Sequence, residues 1–145
     1  MIDISSLEKA LATLDETLAA RARAPEDKFI RDACIQRFGY CYELAHNTLR
    51  RYLEASEPAG VRELSFHNII RLGYERGFLT QSWDVWMRFR DTLKKKCEAY
   101  DDEIADEIAL LIPFFSAEGN FLLEKIYGRQ VIPHEKSNGT LRGIA

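Results

Sequence analysis

From Glu26 to Ala55 the chain contains no proline and sets apolar residues at intervals of three and four. Phe29, Ile30, Ala33, Cys34, Phe38, Cys41, Tyr42, Leu44, Ala45, Leu49 and Leu53 thus form one broad face of a helix, whose repeat is 3.6 residues. A stretch this long and this aromatic needs other helices to cover its apolar face. It is expected to be the spine of the core.

The remaining segments repeat the pattern. A first helix is expected from a cap at Ser5 or Ser6 to about Ala24, with Leu7, Ala10, Leu11, Leu14 and Leu18 facing inward. Pro25 ends it or opens the next. Glu57-Pro58-Ala59-Gly60 is a break. A third helix is predicted over about 65–76, capped by Ser65 and stopped by Gly77. Thr80 or Ser82 starts a fourth, which carries Trp83, Trp86, Phe89, Leu93 and Cys97. Asp101 and Asp102 cap or open a fifth that reaches about Tyr127, with an expected kink at Pro113. Periodicity then stops, so residues 1–128 are expected to form one helical domain and 129–145 a flexible tail. Five helices with short connections and no strand pattern predict an all-α, antiparallel up-and-down bundle.

Composition narrows the function classes. The chain has 145 residues, the size of one domain. A net charge of −3 gives no global reason to bind nucleic acid, so any such contact needs a local basic patch. The cysteines, Cys34, Cys41 and Cys97, are odd in number and lack CxxC spacing. Cys34 and Cys41 on one helix would lie roughly 10 Å apart, beyond disulfide reach. Reduced thiols in a reducing compartment are the expectation. The N-terminal residues lack a basic and then apolar leader, and no run of about 18 apolar residues occurs. A cytoplasmic protein with no membrane span is therefore expected. No metal-ligand spacing or glycine-rich phosphate loop is present, so neither metal nor cofactor is expected.

Two stretches go beyond periodicity. Ile35–Glu54 reads IQRFGYCYELAHNTLRRYLE. Further on come IIRLGYERGFL at 69–79, a tryptophan segment and AYDDEIADEI at 99–108. In content and order these resemble the nucleotidyltransferase substrate-binding protein family of the HEPN class, over about residues 5–127. The resemblance implies a helical bundle that forms homodimers and pairs with a minimal nucleotidyltransferase encoded beside it. That partner binds or modifies it. Some family members are metal-independent RNase toxins with the nucleotidyltransferase as antitoxin.

The family site reads arginine–asparagine, three residues, histidine, one residue, tyrosine. Histidine moves protons and arginine stabilises the phosphorane charge. Here one register, keeping Trp86 fourteen residues before Tyr100, puts Leu93 and Lys94 on the arginine–asparagine pair and Glu98 on the histidine. The other keys on Trp83 and uses Arg90 and Asp91, with three extra residues before Tyr100. Neither supplies a histidine; His46, His67 and His134 lie elsewhere. Arg90 and Glu98 are weak catalytic candidates, since on one helix they stand roughly 80° and about 12 Å apart.

The expected ligand or partner groove comprises Arg37, Tyr40, Trp86, Arg90, Lys94 and Tyr100, with nucleotide or RNA as the contact. Each has a plainer reading. Arg90 is either a phosphate-binding arginine or one whose stem packs at the core edge. Lys94-Lys95-Lys96 either meets phosphates or lies on a solvated helix face near a favourable C-terminus. Tyr100 is either the acceptor of a partner's modification or a packing aromatic at a helix joint. Arg37, Tyr40 and Glu43 line a groove or belong to the packing of the second helix. His46 stands where the family usually has tryptophan and reads as a packing substitution. The expected function is a non-catalytic partner subunit of a two-component, toxin–antitoxin-like system; the alternatives are a divergent RNase toxin and a helical scaffold.

Overall fold

The computed structural model describes residues 2–56, 64–98 and 101–135; the side chains of 96–98 and 130–135 fall outside that description. Five helices follow in order: α1 (Ser5–Arg23), α2 (Lys28–Ser56), α3 (Phe66–Glu75), α4 (Trp83–Glu98) and α5 (Asp102–Glu135). Among the described residues there is no strand.

Local signals set most boundaries. The cap position of α1 is Ile4, which makes no side-chain cap, while the Asp3 carboxylate accepts from the Ser5 backbone N–H at 2.9 Å; the expected cap residues Ser5 and Ser6 are themselves helical. Asp27 accepts from the N–H groups of Phe29 and Ile30 at the start of α2. Ser65 Oγ accepts from Asn68 N–H, as a capping serine should. At the other end of α3, Phe78 N–H donates to Gly73 O and Gly77 N–H to Tyr74 O, with Gly77 at φ 84°. This is the Schellman arrangement, and it requires a residue that tolerates positive φ. Asp101 Oδ1 accepts from Ile104 N–H at the start of α5.

The end of α5 departs from the expectation. The helix continues past Gly128 to Glu135 instead of stopping near Tyr127. A glycine stops a helix by adopting positive φ, and among the described glycines only Gly77 does so. Arg129 anchors the extra turns: it donates to Arg76 O at 3.2 Å and places its guanidinium 4.7 Å over the Phe78 ring. The flexible-tail expectation for 136–145 lies outside the described residues. Pro113, where a kink was expected, does not interrupt α5.

Cross-helix pairs give the directions. Arg37 reaches back to Thr13 and Arg51 to Asp3, so α1 and α2 are antiparallel. Trp86 meets Glu118 and Lys95 meets Glu107, so α4 is antiparallel to α5. Arg31 meets Asp102 and Asp106 while Phe38 meets Phe115, so α2 and α5 run parallel. The four long helices run up-and-down, and short α3 packs against α2 and α4. α2 packs against α1, α3 and α5 and is the spine. The centre is aromatic: Phe38, Trp86, Phe89 and Phe115 are fully buried, mostly in edge-to-face pairs. Such pairs each add about 0.5–1.5 kcal/mol beyond area burial.

Candidate functional site

The predicted groove residues do not all meet. Arg90 and Lys94 stand one turn apart on the exposed side of α4. Trp86, expected beside them, is fully buried and donates its indole N–H to Glu118 at 2.8 Å. It is a core residue, because its ring completes the Phe38–Phe89–Phe115 cluster. Arg37 points toward α1, donating to Thr13 O at 2.8 Å with Glu16 at 3.8 Å. On α2 it lies two and a half turns from His46, on the opposite face, so it is on the wrong side to join Arg90. Tyr40 is exposed on α2, away from that face. Tyr100 and the side chain of Glu98 lie outside the described residues.

What faces Arg90 is a group that the motif reading passed over. The Arg90 guanidinium sits 4.7 Å over the ring of Phe66, the first residue of α3. The His46 ring of α2 lies 5.1 Å from the same phenyl ring. Trp83 is 5.3 Å from Phe66, and His67 is 4.3 Å from Trp83. Tyr42, one turn before His46, packs on Trp86. Burial and then the positive charge of Arg50 hold the His46 imidazole below its ordinary range. Burial pushes the Tyr42 phenol up, with Arg90 the chief opposing influence. A neutral imidazole, a neutral phenol and two guanidinium groups therefore gather where α2, α3 and α4 meet. The signal was legible as a polar four-residue repeat, Tyr42, His46 and Arg50, inside an otherwise apolar face.

Two further polar clusters are structural. Glu118 is only 2% exposed, yet its carboxylate accepts from Thr80 N–H and O–H, Gln81 N–H and the Trp86 indole. Four donors replace the water that burial removes. Arg31 is similarly buried and joins Asp32, Asp102 and Asp106. Of these acids Asp102 opens α5, where negative charge is favoured, and Asp32 and Asp106 lie one turn in from the starts of α2 and α5. No group of residues suited to holding a metal ion occurs among the described residues.

The family model for nucleotidyltransferase substrate binding protein like sequences matches residues 2–127. The chain belongs to this family. The match takes in all of α1–α4 and most of α5, including the cluster around His46 and Arg90. The fold agrees with a solved structure from Haemophilus influenzae, described as revealing the fold of a substrate binding domain of a nucleotidyltransferase. The two share 22% identity with a TM-score of 0.71, over 86% of this chain and 99% of that one. No curated protein matches the chain. No helix among the described residues is long and apolar enough to cross a membrane.

Proposed function

We propose that this protein is the non-catalytic substrate-binding subunit of a minimal nucleotidyltransferase, in a cytoplasmic two-component system of the HEPN, toxin–antitoxin-like kind. Family membership across residues 2–127 carries the reading. The degenerate motif supports a binding role over RNA cutting. Arg90 and Glu98 belong to one helix, α4, and eight residues of helix separate them by about 12 Å. An arginine and an acid held that far apart cannot act on one phosphodiester within a single chain.

The reading requires association, with a second copy and with the nucleotidyltransferase. Leu110 and Phe114 stand one turn apart on the outer side of α5 and are 73% and 67% exposed. They offer apolar surface that association would cover. Tyr100 remains the proposed acceptor if the partner modifies this chain.

Co-expression with a minimal nucleotidyltransferase tests the reading. Stable co-purification is expected, weakened by Leu110→Ser with Phe114→Ser. Failure of the two chains to associate overturns it. Degradation of RNA by the purified protein, abolished by Arg90→Ala, would instead establish the RNase alternative.

A further inference from the structure

The first turn of α3 is held largely through one ring. Phe66, its opening residue, meets three groups from the neighbouring helices: the His46 ring of α2 at 5.1 Å, the Arg90 guanidinium of α4 at 4.7 Å and the Trp83 ring of α4 at 5.3 Å. Further on, Ile69 and Ile70 are buried in the core, and the far end is closed by the bonds that Gly77 and Phe78 make to Tyr74 and Gly73. The first turn lacks such anchors. Ser65 and His67 are exposed, and the bond from Asn68 N–H to Ser65 Oγ faces water.

The His46 side of this contact depends on the charge of the ring. His46 Nε2 is buried and has no hydrogen-bond partner among the described residues. A neutral imidazole tolerates this, because it can place its lone pair at Nε2 and its proton at Nδ1. A protonated imidazole cannot, because a charged donor is then buried with no acceptor. The neighbours add to the cost. Burial comes first, then the positive charge of Arg50 on α2; Arg90 on α4 acts in the same sense, and Glu43 and Asn47 on α2 act against them. Asp91, next to Arg90, acts on Tyr42. At this end α3 brings His67 alone; its one carboxylate, Glu75, is in the last turn and paired with Arg71. A cation over the Phe66 face gains some attraction, but at a partly exposed ring that gain is smaller than the cost of a stranded charged donor.

We propose that the His46–Phe66 contact is an acid-released clasp: on taking up a proton the His46 ring leaves Phe66 for water, and the first turn of α3 opens while the rest of the helix stays packed. Opening uncovers the Trp83 ring and the Arg90 guanidinium, so the surface where α2, α3 and α4 meet changes in mildly acidic solution. The ordinary imidazole value of 6.5 sets the ceiling of the effect. Proton uptake by the released ring can raise the open population roughly eightfold between pH 7.0 and 5.5, and no more. The clasp does not depend on the nucleotidyltransferase reading.

Amide hydrogen exchange of the full chain, followed by NMR and corrected for the intrinsic effect of pH, tests the clasp. Opening at the N–H groups of Ile69 and Ile70, which close the first turn, is expected to rise several-fold from pH 7.0 to 5.5. The N–H groups of Arg76 and Phe78, at the far end of the same helix, should change much less. His46→Gln, which cannot take up the proton, should abolish the rise. His67→Gln should leave it in place, and Arg50→Met should reduce it by removing a charge that opposes the proton in the closed form. The clasp is overturned if Ile69 and Ile70 open equally at both pH values, if Arg76 and Phe78 rise in step with them, or if the rise survives His46→Gln or vanishes in His67→Gln. Should His46→Gln fail to fold, the ring shifts of His46 in the parent chain decide. A ring that titrates below 6.5 supports the clasp, and one that titrates at or above 6.5 removes it.

Discussion

The indole Nε1 of Trp86 donates to a carboxylate oxygen of Glu118 at 2.8 Å, with both residues almost wholly buried between α4 and α5. The same carboxylate takes two backbone N–H groups from the connection between α3 and α4. One acid thus fixes where α3 ends and α4 begins, and so positions Phe66 and Arg90 relative to each other.

Glu118→Gln should lower stability by about 2–3 kcal/mol, because the amide must aim its NH2 at groups that are themselves donors. Trp86→Phe should cost less on its own. Chemical denaturation of both singles and the double variant should give a coupling of about 1 kcal/mol or more, since the residues touch. Additive effects would mean that the bond contributes nothing.

Arg31 ties the start of α2 to the start of α5 through Asp102 and Asp106, with an adjacent bond to Asp32. Its partners are largely exposed, which discounts the ion pairs. Arg31→Ala should therefore cost only about 1–2 kcal/mol, part of it lost packing of the stem. Arg31→Met should recover that part. A urea titration reads both.

Stability should fall as the solution is made mildly acidic. The folded His46 ring is held below its ordinary value of 6.5, by burial first and Arg50 second. The unfolded chain then binds that proton more readily. The contribution of the neutral ring is complete above about pH 6.5 and is lost as pH falls toward the folded value. Asp102 acts later. Lys28, then Arg31, hold its carboxyl below 3.8, so its contribution is lost only as pH drops below that range. Urea midpoints between pH 7 and 5 should decline in the parent and flatten in His46→Gln. An unchanged slope in the variant would remove His46 as the cause.

Cys41 should resist alkylation. Burial, reinforced by Asp15, pushes its thiol up to about 12, so almost no thiolate exists near neutrality. Iodoacetamide labelling followed by peptide mass spectrometry should find Cys41 unmodified in the folded protein and modified in urea. Cys34, also free and buried, should be shielded from the reagent by the core packed around it.

The helices were legible because their causes are local. The apolar repeat of α2, the Ser65 cap, the Gly77 stop and the Asp101 cap act within a few residues of themselves, and each recurs in the structure. The end of α5 was not legible, because its extra turns lean on Arg76 and Phe78, distant in sequence. Likewise Arg37 and Arg90 both read as basic residues of the expected groove. Helix geometry alone puts Arg37 opposite His46, but only the packing of α3 and α4 brings Arg90 to the His46 side.

The sequence by itself determined the helical class, the element order, the family pattern and the absence of histidine from α4. Those follow from periodicity and from residue identity. The tertiary structure alone decided that Trp86 is core, that Glu118 is the buried hub, and that His46 and Arg90 share one phenyl ring. These are contacts between residues 20 to 44 positions apart, formed when desolvation drives apolar faces together, and no local signal records which polar groups that collapse will trap beside one another.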